Sequence, residues 1–418
     1  METRFKLITA DRILDGTGSS SNNGCALLID GKTVSAIGNL ADIRAPDGSD
    51  VEKFDYGDAT IMPGLVDAHT HLMAPGDGTL GDDVAKEHDD ILLLQAVKNA
   101  RTVLHSGVTT VRENGAKNRV AFSLREGVRR GLAAGPNMVI CGRPVTITGG
   151  HMWYCGSEAD GEDAVRKEVR KLVKEGADYI KIMATGGSTR SSFPNLPSYS
   201  VAELRAITDE AHKLGLLTAA HCASAQGITN SLEAEVDMII HCAFEDAGGR
   251  YSFRDDIADQ LADAGAWVNP TLAVIQASID FLEKKRTLSG KLSPSDNEHV
   301  RLRKRTLEQR LETTGRLEQM GVRVTAGSDS PWGEYPAGNF VNEVKLLAHA
   351  GLTNSKAVLT ATSGSATSIG VADKSGRLAL GRQADVLVVR GNPLQDISAL
   401  ENVVDVFQAG QRVYRQIL

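Results

Sequence analysis

At 418 residues, with 41% hydrophobic and 24% charged side chains, the chain has the composition of a large soluble globular protein, enough for more than one domain. A formal net charge of -7 without a basic block excludes a nucleic-acid footprint, and no apolar run is long enough to span a bilayer. The start, Met1 to Lys6, lacks the apolar run of a secretory signal, and five scattered cysteines are too few for a disulfide framework, so a reducing cytoplasm is expected.

The first 60 residues predict short strands. Lys6–Ala10 leads into a turn at Asp15 to Gly18, and Cys25–Ile29 reaches the hairpin signal Asp30-Gly31 before Val34–Ile37. From Ile61 to about Ala350 strand-like and helical runs alternate. The eight strand candidates are Ile61–His69, Val108–Arg112, Met138–Cys141, Tyr179–Met183, Leu217–His221, Met238–His241, Ala266–Asn269 and Val322–Thr325. Asp89–Ser106, Asp163–Glu175, Val201–Leu214 and Arg301–Met320 carry apolar residues at helical spacing, whereas Arg286–Asn297, polar and bearing Ser and Pro, reads as a solvated loop. Eight such units favour a (β/α)8 TIM barrel over a doubly wound sheet. From Gly370 the chain returns to strands at Gly376–Gly381, Ala384–Val389 and Val403–Ala409. These cannot bury both faces alone and are expected to pair with the first 60 residues. The expected division is therefore 1–61 and 370–418 as one small β-sandwich domain and 62–369 as the barrel.

Catalytic groups of a barrel gather at the carboxyl ends of its strands, and the polar residues there form a set. His69 and His71 share one face of the first strand because side chains alternate. His221 ends the fifth strand, His241 the sixth, and Asp329 follows the eighth. Lys181 stands inside the apolar run Tyr179–Met183, where an ammonium is costly to bury. It escapes by pairing with a carboxylate such as Asp329, or by reacting with carbon dioxide to become an anion with two oxygens. In the second case two divalent metals fit. One takes His69, His71, Asp329 and a carbamate oxygen, the other His221, His241 and the second carbamate oxygen. Imidazole and carboxylate suit zinc first, with manganese, cobalt or iron also compatible. Water held by such a pair becomes a nucleophile, and Asp329 can move its proton to a leaving group.

Pro63 to His71, Tyr179 to Gly187, His221, His241, Gly327 to Asp329, Thr146 to His151 and the tail Gly376–Val389 together resemble the amidohydrolase superfamily. The resemblance is to its binuclear-metal branch of Xaa-Pro dipeptidases, acyl-amino-acid carboxypeptidases and imidazolonepropionase-like enzymes. It covers essentially the whole chain. It implies an N6-carboxylated Lys181, metal binding by the four histidines and Asp329, a small β domain built from both ends, and a homo-oligomer. The sequence departs from the family pattern at Cys222-Ala223 after His221 and at Ser330-Pro331 after Asp329.

His151, behind Gly149-Gly150, can reach the site and stabilise an oxyanion as a further catalytic residue, or lie on the surface. A substrate carboxylate needs a cation; Arg190, Arg112 and Arg143 lie on top-face segments, and Tyr154, Trp153, Trp332 and Tyr199 are candidates for an apolar wall. Gly186-Gly187-Ser188 lacks the company of a phosphate loop and reads as a mouth loop. Alternation turns Cys222 and Cys242 towards the helices, as buried hydrophobes rather than nucleophiles. The expected reaction is hydrolysis of an amide C–N bond in a small molecule, a dipeptide or N-acyl amino acid. The alternatives are a xenobiotic amide, ester, carbamate or urea; a cyclic amide or amine substrate; and a non-catalytic binding protein.

Overall fold

The computed structural model describes residues 4–416. Residues 1–3, within the Met1 to Lys6 stretch considered above, and 417–418, counted with the C-terminal part of the small β domain, lie outside the described residues. The chain opens with β1 (Phe5–Leu14), β2 (Ser20–Asp30), β3 (Thr33–Asn39), β4 (Val51–Asp55) and β5 (Ala59–Pro63). The Asp30-Gly31 turn joins β2 to β3, with Gly31 at φ 58°, a left-handed conformation that glycine adopts without a steric penalty. The expected strand Ile61–His69 is two strands, because Gly64 breaks it. A Cβ there would lie 2.2 Å from the Thr109 hydroxyl, so only glycine lets the chain cross β7 (Val108–Glu113) this closely.

Beyond Gly64 run β6 (Leu65–Thr70), then β7, β8 (Asn137–Ile140), β9 (Ile180–Met183), β10 (Thr218–His221), β11 (Met238–Ile240), β12 (Trp267–Asn269) and β13 (Arg323–Val324). From β7 onwards each strand ends within a residue of its expected bounds. All pair in parallel, in two ladders: β6-β7-β8 and β13-β12-β11-β10-β9. Isolated backbone bonds cross both gaps. On one side Ala68 N–H donates to the Ala326 carbonyl (3.1 Å) and Asp329 N–H to that of His69 (2.9 Å). On the other, Val145 N–H donates to Lys181 (2.8 Å) and Met183 N–H to Val145 (2.9 Å).

β9, β10 and β11 are buried along their whole length because both faces are covered. Ile180 and Ile182 of β9 pack with Val165, Val169, Leu172, Leu204 and Ile207 of the flanking helices Glu162–Glu175 and Val201–Lys213. Alternation then sends Lys181 and Met183 to the opposite, inner side. The helices begin where the sequence marks them. Ser200 and Glu203 form a reciprocal capping box at the head of Val201–Lys213.

One expectation is corrected. Arg286–Asn297 is not a loop but the junction of two helices, Leu272–Ser289 and Pro294–Gln319. The polar Ser-Pro pair is a helix start: the Ser293 hydroxyl accepts the Asp296 N–H, and Pro294 at the first helical position gives up an N–H that has no intrahelical partner anyway. The helix expected from Arg301 thus begins seven residues earlier.

β14 (Val386–Arg390), β15 (Val403–Gln408) and β16 (Gln411–Arg415) complete the chain. β14 pairs antiparallel with β5, so both chain ends join one eight-stranded sheet in the order β16-β15-β14-β5-β1-β2-β3, with β4 beside β1. The sheet curls until Phe54 of β4 meets Phe407 of β15 edge to face, their rings 5.3 Å apart. Gly376–Gly381, expected as a strand, is irregular: Leu378 is buried in this sheet's core, but the segment makes single bonds to Asp15 and Val34 rather than a ladder.

A candidate metal centre at the strand ends

A cavity of about 340 Å³ opens over the carboxyl ends of the parallel strands. It is lined by all six residues expected as metal ligands, His69, His71, Lys181, His221, His241 and Asp329, and also by His151. His69 and His71 place their Nε2 atoms 3.2 Å apart, and Asp329 Oδ1 lies 3.2 Å from the first and 3.4 Å from the second. The ligand atoms of these three residues lie within 4.8 Å of one another. The His241 ring is 5.7 Å from that of His69 and 4.5 Å from that of His221, whose other neighbour is His151 at 4.6 Å.

The outer nitrogens decide what the inner ones can do. His71 Nδ1 faces the Gly115 carbonyl (3.2 Å) and His221 Nε2 the Gly186 carbonyl (3.0 Å); both nitrogens must donate. His69 Nδ1 faces Asn269 Oδ1 (3.1 Å), and the Asn269 amide is turned that way because its Nδ2 donates to Gly327 (3.1 Å). His241 Nδ1 faces the Thr271 hydroxyl (2.7 Å), whose own hydrogen goes to the Pro270 carbonyl (2.8 Å). Each of the four rings therefore spends its N–H on the protein and turns a bare lone pair inwards. Lone pairs and a carboxylate oxygen held just over 3 Å apart repel unless a cation sits among them. The donor set fits divalent metal of the imidazole-binding kind.

Electrostatics agree. Burial first, and then neighbouring positive groups, hold His69, His71, His221 and His241 well below the usual imidazole range, so the four rings are neutral. Lys181 is buried at the cavity floor, with no ion pair within 4 Å among the described residues. Burial pushes its ammonium down and the carboxyl of Asp329 up from their usual ranges, and the charge each carries partly offsets the shift of the other. Asp329 takes a left-handed backbone (φ 61°), fixed by its N–H to His69 and by Asp67, which accepts the Ser328 N–H (2.9 Å) and hydroxyl (2.6 Å).

His151 is not a surface residue. Its Nδ1 meets the Thr189 hydroxyl (2.9 Å), which also accepts the Met152 N–H (3.0 Å). The Gly186-Gly187 pair has two uses that the sequence did not reveal: the Gly186 carbonyl orients His221, and a Cβ at Gly187 would lie 2.4 Å from the His151 ring.

The expected substrate contacts divide. Trp332 lines the cavity, its ring 4.9 Å from that of His71. Tyr154 is buried outside the lining, its hydroxyl occupying the space left by Gly81. Arg190 is half exposed and paired with Asp83 (3.0 Å), away from the cavity. Arg143 is locked to Glu175 (2.7 Å), and Arg112 is buried in β7 against the Ala68 carbonyl (2.9 Å) and the Tyr179 ring. Trp153 faces solvent, and Tyr199 is core, donating to Ala159 (2.9 Å). Cys222 and Cys242 pack among the helices as expected, and burial pushes both thiols up. Sequence reasoning missed Arg303, Thr306 and Arg310, which line the cavity from the helix Pro294–Gln319, and the orienting residues Asn269 and Thr271. The expected helix Arg301–Met320 already contained the first three, and the spacing i, i+3, i+7 groups them on one face, but only the packing of that helix shows that this face meets the cavity.

Glu113, ending β7, gives a test of the surrounding scaffold. Its Oε2 accepts the Leu72 N–H (2.9 Å) beside the Thr70 hydroxyl, and burial raises its carboxyl to about 8 from the usual 4.5. Between these values the folded chain holds a proton that the unfolded chain has lost. The contribution to stability is therefore complete below about pH 4.5 and is lost as the pH rises to about 8, at roughly 1 kcal/mol per pH unit. Urea unfolding of Glu113→Gln across this window is expected to show a shallower decline than the wild type; parallel declines would refute the assignment.

Among the described residues no helix is long and apolar enough to cross a membrane. The model of the amidohydrolase family matches residues 60–413. Among curated proteins, ochratoxinase of Aspergillus niger is 24% identical over 448 aligned positions, covering 98% of this chain and 87% of that protein. Among solved structures, a Xaa-Pro dipeptidase with methionine bound in its active site is 27% identical at a TM-score of 0.82, covering 99% of this chain and 100% of that one. A structure described as a putative prolidase from Bifidobacterium longum is 25% identical at a TM-score of 0.79, covering 100% of this chain and 97% of that one. The match spans the strands that carry the histidines, Lys181 and Asp329, and the chain belongs to the amidohydrolase family.

Proposed function

We propose that the chain is a binuclear metal-dependent hydrolase that cleaves an amide C–N bond of a small molecule, a dipeptide or an N-acyl amino acid. The observation that carries this reading is the ring of four histidines whose outer nitrogens are committed to protein acceptors while their inner nitrogens converge bare on one cavity. His69, His71 and Asp329 would hold one divalent ion and His221 and His241 the other, with Lys181, N6-carboxylated, offering one oxygen to each; zinc is the first choice. When bound, the pair supplies a water that ionises near neutral pH and polarises the scissile carbonyl. Asp329 accepts the proton of the attacking water and returns it to the amine nitrogen as the C–N bond breaks. His151 donates its Nε2 hydrogen to the carbonyl oxygen as that atom gains charge. Trp332, Val274 and Ile275 give the cavity an apolar wall that holds the substrate side chain and excludes water.

The same reading takes the two parallel ladders, joined by backbone bonds across both gaps, as one closed (β/α)8 barrel over residues 62–369. It takes the curled terminal sheet as a β-sandwich formed by 1–61 and 370–418. A cytoplasmic homo-oligomer acting on small molecules goes with it. A second reading, a xenobiotic amide as substrate, is favoured by the full-length similarity to ochratoxinase.

The test is a panel of Xaa-Pro and Xaa-Arg dipeptides, N-acyl amino acids with aliphatic and aromatic side chains, an aryl ester and a carbamate, on metal-replete protein. Release of the free amine from a dipeptide or N-acyl amino acid at about 10⁴ M⁻¹s⁻¹ or faster is expected, with two metals per chain. Exchange of an amine for a carbonyl oxygen with no amide cleaved, at one metal per chain, would replace this reading with a deaminase.

A further inference from the structure

The helix Pro294–Gln319 presents two arginines to the cavity, and they are in opposite electrostatic states. Arg310 is neutralised: Nη2 reaches both oxygens of Glu245 (3.0 and 3.1 Å), and Nη1 points at the His241 carbonyl (3.4 Å). Its task is to hold the His241 turn, where His241 and Cys242 both take left-handed backbone. Arg303 lies two helical turns away, about 10 Å along the axis, on the same face. Its Nε contacts the His299 ring (3.4 Å), and among the described residues no carboxylate lies within 4 Å of its guanidinium. Burial disfavours its charge, and the charge of Glu334 offsets this only from a distance. A half-buried guanidinium with both terminal NH2 groups unpaired, at the wall of a cavity, is an arrangement that a ligand anion completes.

The lining around it says what sort of anion. Val274, Ile275, Met183 and Pro194 are apolar, so the ligand carries its charge at one point beside an uncharged body. Two parallel N–H donors match the two oxygens of a carboxylate. An amide carbonyl seated at the histidines leaves a carboxylate on its leaving-amine side free to turn towards this helix.

We propose that Arg303 is the receptor for the free carboxylate of the departing amino acid, and that it restricts the enzyme to substrates with an unblocked carboxyl terminus. The proposal rests on the amide-hydrolysis reading above for its substrate class. It displaces Arg190, Arg112 and Arg143, each of which the structure occupies elsewhere.

The test compares N-acetyl-L-leucine with N-acetyl-L-leucinamide, on metal-replete wild type, Arg303→Met, Arg303→Lys and Lys304→Met. Lys304 is adjacent but pairs with Glu283 (3.0 Å), so its variant controls for general positive charge. Wild type and Lys304→Met are expected to prefer the acid by about 10²-fold in kcat/KM. In Arg303→Met the preference falls to near unity, mainly through KM for the acid, and Arg303→Lys restores part of it. Calorimetric binding of L-leucine against L-leucinamide gives the same comparison without turnover. If the wild type hydrolyses neither compound, N-acetyl-L-leucine is not among its substrates, while the binding pair still decides the role of Arg303. A preference for the acid that survives in Arg303→Met, in rate or in binding, overturns the proposal.

Discussion

Asp329→Asn is expected to lower kcat/KM on the best amide substrate by about 10³-fold or more while leaving the thermal midpoint close to that of the wild type. Both halves follow from the local structure. The loss is large because the carboxylate has two parts to play in the proposed reaction: its Oδ1 lies 3.2 and 3.4 Å from the inner nitrogens of His69 and His71, and it is the group proposed above to carry a proton between water and leaving amine. An amide is not basic enough to accept that proton and is a weaker metal ligand. The fold survives because residue 329 sits at φ 61°, a conformation that asparagine tolerates better than other residues with a Cβ. The turn itself is held by Asp67 through Ser328, and by the Asp329 N–H to His69, neither of which the substitution touches. Asp329→Ala would confuse the test, since alanine is strained at that φ. Steady-state kinetics, metal content and a melting curve on the same preparation settle the matter. A loss of less than tenfold with metal retained would remove Asp329 from the proton path.

The residues that the sequence placed correctly are those whose meaning is local. His69 and His71 share a face because strand residues alternate, and they meet as expected. Lys181 is conspicuous because an ammonium does not belong in Tyr179–Met183, and it stands on the inner side while Ile180 and Ile182 pack outwards. His221 and His241 close apolar runs, which puts them at strand ends whatever the helices do. The residues that escaped depend on distant partners. Asn269 orients His69 from 200 positions away, Thr271 orients His241, and Gly186 acts through a backbone carbonyl that has no sequence signature. Arg303 and Arg310 escaped for a different reason. Both lay inside the expected helix Arg301–Met320, but which face of that helix meets the cavity depends on how it packs. Arg190 and Arg143 show the converse. A cation on a top-face segment is as readily used by a neighbouring carboxylate, Asp83 or Glu175, as by a ligand. Gly64 escaped because its role, a crossing within van der Waals contact of Thr109, is visible only once β7 is in place.

Lys181→Met is expected to abolish measurable amide hydrolysis, a loss of about 10³-fold or more, and yet, with metal and carbon dioxide stripped from both, to leave the protein at least as stable as the wild type. The two effects separate because the lysine's structural contribution is unfavourable. In that state its ammonium is buried with no ion-pair partner among the described residues, and an apolar side chain of similar length relieves that desolvation. Burial also pushes the amine down from its usual range, which favours the uncharged, nucleophilic form. The nitrogen lone pair can then form an N–C bond to carbon dioxide; one C=O π pair moves to oxygen, and the nitrogen releases a proton. The product is an anion whose two oxygens can each face one half of the histidine ring, which methionine cannot supply. Intact mass of the gently prepared wild type should therefore exceed the sequence mass by one carbon dioxide, and the adduct should be absent from Lys181→Met. Metal content should fall below two per chain in the variant. Short carboxylates such as acetate should restore part of the activity in Lys181→Ala, where the cavity floor is open, but not in Lys181→Met, where the side chain fills it. An unmodified mass for fully active wild type, together with a variant that keeps both metals, would leave Lys181 as a buried amine and require another bridge.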